Sequence, residues 1–150
     1  MSDPLTFDNT SPRFGLPFLY SGQAQKEFYV NEAFVIVDAL LHCAIEGTSA
    51  TAPTSPAEGE NWVVADGATG DWAGHGGAIA CRQSGDWLFA TPRDGMRIFD
   101  RSSGQSWLYS GGWQVPSAIT APTGGATIDS EARTAISALI AGLRNAGILP

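Results

Sequence analysis

The chain has 150 residues, the length of one ordinary domain, with a formal net charge of -7, 15% charged residues, 18 glycines and 9 prolines. Lys26 is the sole lysine, so no cluster of cations is available for a phosphate backbone or an anionic lipid surface, and nucleic acid and membrane are excluded as expected partners. No apolar run is long enough to span a bilayer, and Met1 to Pro4 shows no signal peptide, which points to synthesis in the cytoplasm.

Residues 1–20 carry Pro4, Pro12 and Pro17 without helical or alternating period, which predicts an extended arm. Phe7, Phe14, Leu16, Phe18, Leu19 and Tyr20 are too apolar for a solvated tail, so the arm is expected to lie across its own domain or a neighbouring subunit.

From Ser21 to Glu46 the pattern is helical. Ala33, Val37, Leu40 and Ala44 form one stripe, widened by Phe34, Leu41 and Ile45, and this is the expected core face. Asn31 is the expected N-cap and Gly47 the stop, with His42 on a helix face. Gln23 to Tyr29 reads either as an earlier turn of that helix or as a separate short one.

Gly47 to Gly59 reads as a polar linker. Strands are expected at Asn61 to Ala65, Ala78 to Gln83, Asp86 to Thr91, Met96 to Arg101, Ser106 to Tyr109 and Trp113 to Val115. Period two places Trp87 with Phe89, Met96 with Ile98 and Trp107 with Tyr109. Short Gly-containing turns between them predict antiparallel pairing. The loop from Asp66 to Gly77 is long and glycine-rich, and carries Trp72 and His75.

After a second linker, Ser117 to Gly125, residues Asp129 to Ala146 place Ala132, Ile136, Leu139, Leu143 and Ala146 on an a/d seam. Asp129 and Glu131 open this helix and Gly147 closes it. About two and a half heptads are marginal alone in water, and self-association is favoured over docking on the chain's own sheet. The reading is therefore α+β: an N-terminal arm and helix (residues 1–47), a small antiparallel β-meander of five to six strands (59–116), and a C-terminal amphipathic helix for oligomerisation (126–147).

All five tryptophans lie between Gly59 and Pro116. A flat indole can stack on the C–H face of a pyranose while neighbouring polar groups bond its hydroxyls, against the alternative that each Trp is core. Trp72, in the loop with Asp71 and His75, is expected to be the most exposed; Trp107, Tyr109 and Trp113 are expected to share a surface across one hairpin. An enzyme would recruit His75, Asp66, Asp71, Asp86 and Asp94, but no spacing among them identifies a reaction, and Asp66 with Asp71 offers too few oxygens for calcium. No catalytic residue, metal or cofactor is assigned. Cys43 and Cys81 are expected to be buried free thiols.

Ser11-Pro12-Arg13-Phe14-Gly15-Leu16-Pro17-Phe18-Leu19, Ser21-Gly22-Gln23-Ala24-Gln25-Lys26 and Asn31-Glu32-Ala33 resemble the opening of a bacterial family of unknown function found in prophages and gene transfer agents. Pro53, Pro56-Ala57-Glu58-Gly59, Ala68-Thr69-Gly70-Asp71-Trp72-Ala73-Gly74 and Ala78-Ile79-Ala80 continue the resemblance, which covers about residues 11–115. The chain departs from it at Glu27-Phe28-Tyr29, where many relatives carry a small or basic residue after the lysine. The C-terminal helix resembles those that follow this domain in tail-fibre proteins. The resemblance implies a virion or phage-like particle component, a trimeric tail fibre or spike subunit that contacts other tail or baseplate proteins and the host surface polysaccharide. It assigns no binding residues; Arg13, Gln23, Gln25 and Lys26 match its opening signature and are expected to serve assembly, as the seam residues Ile136, Leu139 and Leu143 are from their spacing.

Overall fold

A computed structural model of the chain describes residues 11–13, 16, 18–19, 26–125 and 129–149, without the side chains of Lys26 and Phe28. Gln23 and Gln25, the side chain of Lys26 and most of the expected arm therefore lie outside the described residues. The order of elements is α1 (Lys26–Leu40), β1 (Ala44–Ile45), β2 (Thr48–Ser49), β3 (Asn61–Val64), a single 3-10 turn (Gly70–Trp72), β4 (Ile79–Gln83), β5 (Asp86–Ala90), β6 (Arg97–Asp100), β7 (Gln105–Tyr109), β8 (Trp113–Gln114) and α2 (Ser130–Asn145). The α+β class and the helix–strands–helix order stand, and each of the six expected strands is present.

The strands do not form one continuous meander. They divide into two four-stranded mixed sheets, ordered β1-β6-β7-β8 and β2-β3-β4-β5. The division is made by the segment expected to end the first helix and begin a linker. Ala44–Ile45 runs parallel to β6 and Thr48–Ser49 runs parallel to β3, so one short stretch pins both sheets. The helix accordingly stops at Leu40 rather than at Gly47. Phe99 and Arg101 donate backbone N–H bonds to Cys43 and Ile45, and Val63 donates to Gly47. Backbone groups of residues 43–47 thus find partners in strands, which outweighs the helical pattern of Ala44 and Ile45. His42, placed just after the helix, takes φ 50 instead of a helix-face position.

The two sheets face each other over Ile45, Val63, Ile79, Ile98 and Trp107. Beyond that contact α1 covers the same side of the second sheet, where Val35 and Ala39 pack with Phe18 and Cys81. The stripe expected to face the core is therefore only partly right: Ala33 is exposed, as are Val37 (51%) and Tyr29 (72%). The helix is apolar nearly all round, so spacing could not choose its inner face. Asp38 is buried within this helix, where the Arg13 backbone N–H donates to its Oδ2 at 2.8 Å.

Arg13 also accounts for the helix end. Its guanidinium donates to the carbonyls of Asp38 (2.7 Å), Ala39 (2.7 Å) and Leu41 (3.4 Å) through Nη1 and of His42 (3.1 Å) through Nη2, satisfying carbonyls that the helix leaves open. Asn31 is inside α1, not at its cap, and its side chain pairs with the backbone N–H and C=O of Leu19. At these described positions the arm lies across its own domain.

Asp129 caps α2, its Oδ1 accepting from Ala132 N at 2.9 Å. At the other end Gly147 takes φ 65, with Gly147 N donating to Arg144 O and Ile148 N to Leu143 O, the bond pair of a Schellman stop. The helix makes no extensive packing on any strand. Its one buried residue is Ile140, outside the expected seam, beside Ile119, Thr120, Ala121 and Thr123 of the linker that doubles back along it. Arg133 holds that linker through Pro122 O and Gly124 O. Leu139 is 63% exposed, Ile136 is exposed and Leu143 half-buried. Body and tail meet where the Gly147 carbonyl accepts from Ser106 N at 2.7 Å.

Candidate functional site

The outer face of the second sheet follows from its register. Trp62 pairs with Ala80, Ala80 with Phe89 and Arg82 with Trp87, so these side chains share one face, opposite Val63, Ile79, Cys81 and Leu88. The loop from Asp66 to Gly77 folds over this face. Trp72, at the end of its 3-10 turn, is 0% exposed and packs with Val64 and Ala80. The expectation that Trp72 is the exposed platform is thus overturned: the loop has no hydrophobic interior of its own, and its indole supplies the apolar plug that lets it lie on the sheet. The indole meets Trp87 edge-on, with centroids 5.0 Å apart and planes at 87°.

The surface rings are those around the plug. Trp62, Trp87 and Phe89 are half-buried, and the exposed His75 lies flat on Phe89, with centroids 3.7 Å apart and planes 6° from parallel. The Arg82 guanidinium carbon sits 5.3 Å from the centroid of the Trp87 ring. Trp62 Nε1 donates to Glu60 Oε2 at 3.2 Å. The result is an aromatic strip with one cation, whose members come from three strands and a loop. Asp71 is exposed at the loop.

The other expected group lies in a different layer. Trp107 is buried between the sheets against Ile98 and Cys43, so it is core rather than surface. Tyr109 and Trp113 remain half-buried at the rim, edge to face with centroids 5.0 Å apart, and Trp113 Nε1 donates to Gly77 O at 3.0 Å. Thus the structure stacks His75 on Phe89, on the sheet face that Trp87 shares, while Trp107 is core and Tyr109 and Trp113 belong to the first sheet, with Trp113 touching the His75 loop at Gly77 O. Trp62, Arg82, Trp87 and Phe89 were missed as site residues. The Trp87/Phe89 alternation was visible, but the cross-strand pairing that adds Trp62 and Arg82 was not.

Several motif residues have structural work. Glu58 accepts from Ser84 N (2.6 Å) and Gly85 N (3.0 Å), closing the β4–β5 turn, and a Cβ at Gly59 would lie 3.2 Å from Pro12 and Arg13 side-chain carbons. Two motifs far apart in the chain therefore meet there. Arg13, expected to serve assembly, has its guanidinium engaged at the end of α1. Cys43 and Cys81 are free and buried; burial pushes their thiols up to about 11 and about 12, against a smaller opposing pull from Arg13. Among the described residues no group of three or more His, Cys, Asp or Glu could hold a metal ion, and no helix is long and apolar enough to cross a membrane.

Residues 30–114 match the family described as protein of unknown function (DUF2793). The chain belongs to that family. The DUF2793 region runs from within α1 to β8, and so takes in both sheets and the aromatic strip but not α2. No curated protein and no solved structure matches the chain.

Proposed function

We propose that this DUF2793 protein is a subunit of a phage-like or gene-transfer particle, a tail fibre or spike component that binds host cell-surface polysaccharide without catalysis. The particle assignment rests on the resemblance of the sequence motifs. The binding assignment rests on one observation: His75 lies flat on Phe89 and remains exposed, on the sheet face that also carries half-exposed Trp87 and Trp62. Flat rings with an open face suit the apolar faces of sugar rings, and Asp71 at the same loop offers acceptors to hydroxyls.

Assembly is the second part of the proposal. Copies associate through the exposed row of Ile136 and Leu139 on α2, as a trimer, and so carry several aromatic strips on one particle; linked weak sites gain avidity. Light scattering on the full chain and on a chain lacking residues 126–150 tests this. The expected result is an oligomer that falls to monomer on deletion, and a full chain already monomeric at high concentration counts against it. Glycan-array binding by the full chain, weakened by Trp87→Ala and His75→Ala, tests the strip. A structural connector without glycan binding is the alternative. It is favoured by the exposed apolar residues Tyr29 and Val37 on α1 and Leu41 just past its end, which suit a protein neighbour better than a sugar.

A further inference from the structure

We infer that the aromatic strip selects acidic polysaccharide, and that Arg82 is the residue that binds the sugar carboxylate. The inference rests on the polysaccharide reading above and specifies its substrate class.

Arg82 is a cation in a chain of net charge -7, and it stands among the rings instead of in an ion pair. Among the described residues its guanidinium has no hydrogen-bond acceptor or carboxylate partner, and its Nε is buried without one. The buried Nε is costly to leave without an acceptor, while Nη1 and Nη2 are not buried and can reach one on a ligand. Two carboxylates on the segment that pairs with this end of β4 are already engaged: Glu58 with the Ser84 and Gly85 N–H groups, and Glu60 with the Trp62 indole. Asp86, across the β4–β5 pair from Gln83, alternates to the other face.

Stacking on Trp87 restrains the plane of the guanidinium, and a planar fork of donors matches a carboxylate in two-point geometry. Arg82 and Trp87 are direct cross-strand partners, while Phe89, under His75, is two residues along β5 from Trp87. Two residues of strand advance about 6.8 Å, so one stacked sugar ring at His75 and a carboxylate at Arg82 fit within a short oligosaccharide. A single fork in an acidic protein suits one carboxylate per sugar, whereas a densely charged phosphate polymer would meet the net negative field without a cluster of cations to offset it.

The experiment is calorimetric titration of the full chain with a panel of uronate oligosaccharides (galacturonate, mannuronate and glucuronate types) and with the same oligosaccharides after reduction of their carboxyl groups. The expected result is binding to at least one uronate that falls 10-fold or more on carboxyl reduction, weakens with added salt, and is lost to the same degree in Arg82→Gln, with Arg82→Lys intermediate. Thermal melts check that each variant is folded, and the salt series on the unaltered chain reads the charge contact without any substitution. Equal affinity for uronate and reduced forms, with no salt dependence, overturns the inference and leaves the polysaccharide reading standing. Absence of binding to every acidic and neutral glycan, on the array as well as in the titration, overturns both.

Discussion

The two-sheet body and the C-terminal tail solve the burial of apolar surface in opposite ways. In the body the second sheet is covered on both sides: the first sheet and α1 lie on one face, and the loop carrying Trp72 lies on the other. In the tail, α2 buries Ile140 beneath its own linker, leaves Leu139 and Ile136 exposed, and is tied to the body by the bond from Ser106 N to Gly147 O. Both helices have their last carbonyls satisfied, α1 by Arg13 and α2 by the turn at Gly147, so the difference does not lie in how the helices end. It lies in whether a second layer is within reach. The body buries its apolar surface between its own layers, and the tail leaves Ile136 and Leu139 exposed.

The sharpest way to break this comparison is at the plug. Trp72→Ala leaves a cavity under the loop and should lower the stability of the body by about 3–5 kcal/mol, read as a lower midpoint in urea unfolding. A shift below 1 kcal/mol would mean the loop is not a structural layer. Arg13→Ala comes next. Losing the charged donor to the carbonyls at the end of α1 should cost about 2 kcal/mol, with Arg13→Lys recovering only part because an ammonium cannot reproduce the fork.

The thiols probe the same body by pH. Below the ordinary thiol value of 9.0 both folded and unfolded chains keep their protons, and the contribution is fully present. As pH rises the unfolded thiols ionise first, so stability falls, by about 1.4 kcal/mol per pH unit for each thiol, until the folded thiols titrate in turn. Urea midpoints measured from pH 8 upward should show this decline, with a shallower slope in Cys81→Ala. An unchanged slope removes Cys81 from the account.

The smallest effect belongs to the tail. Asp129→Ala should cost α2 about 1 kcal/mol, reducing helical circular dichroism while the unfolding midpoint of the body stays where it was. A lowered body midpoint would mean that α2 supports the sheets, and the contrast between the two regions would fail.

Much of the architecture was legible in the amino-acid order because it depends on neighbours. Gly-containing turns and alternating residues located the six principal strands, and Asp129 and Gly147 marked the limits of α2, since caps and tight turns are local chemistry. The composition of α1 announced a helix but not its inner face, because apolar side chains surround it. What only the tertiary structure decided depends on residues distant in sequence. Residues 44–49 left the helix because β6 and β3 offered their backbone groups partners, and Trp72 went inward because a sheet lay beneath its loop. The strip of Trp62, Arg82, Trp87, Phe89 and His75 exists only through cross-strand register, which no single stretch of chain contains.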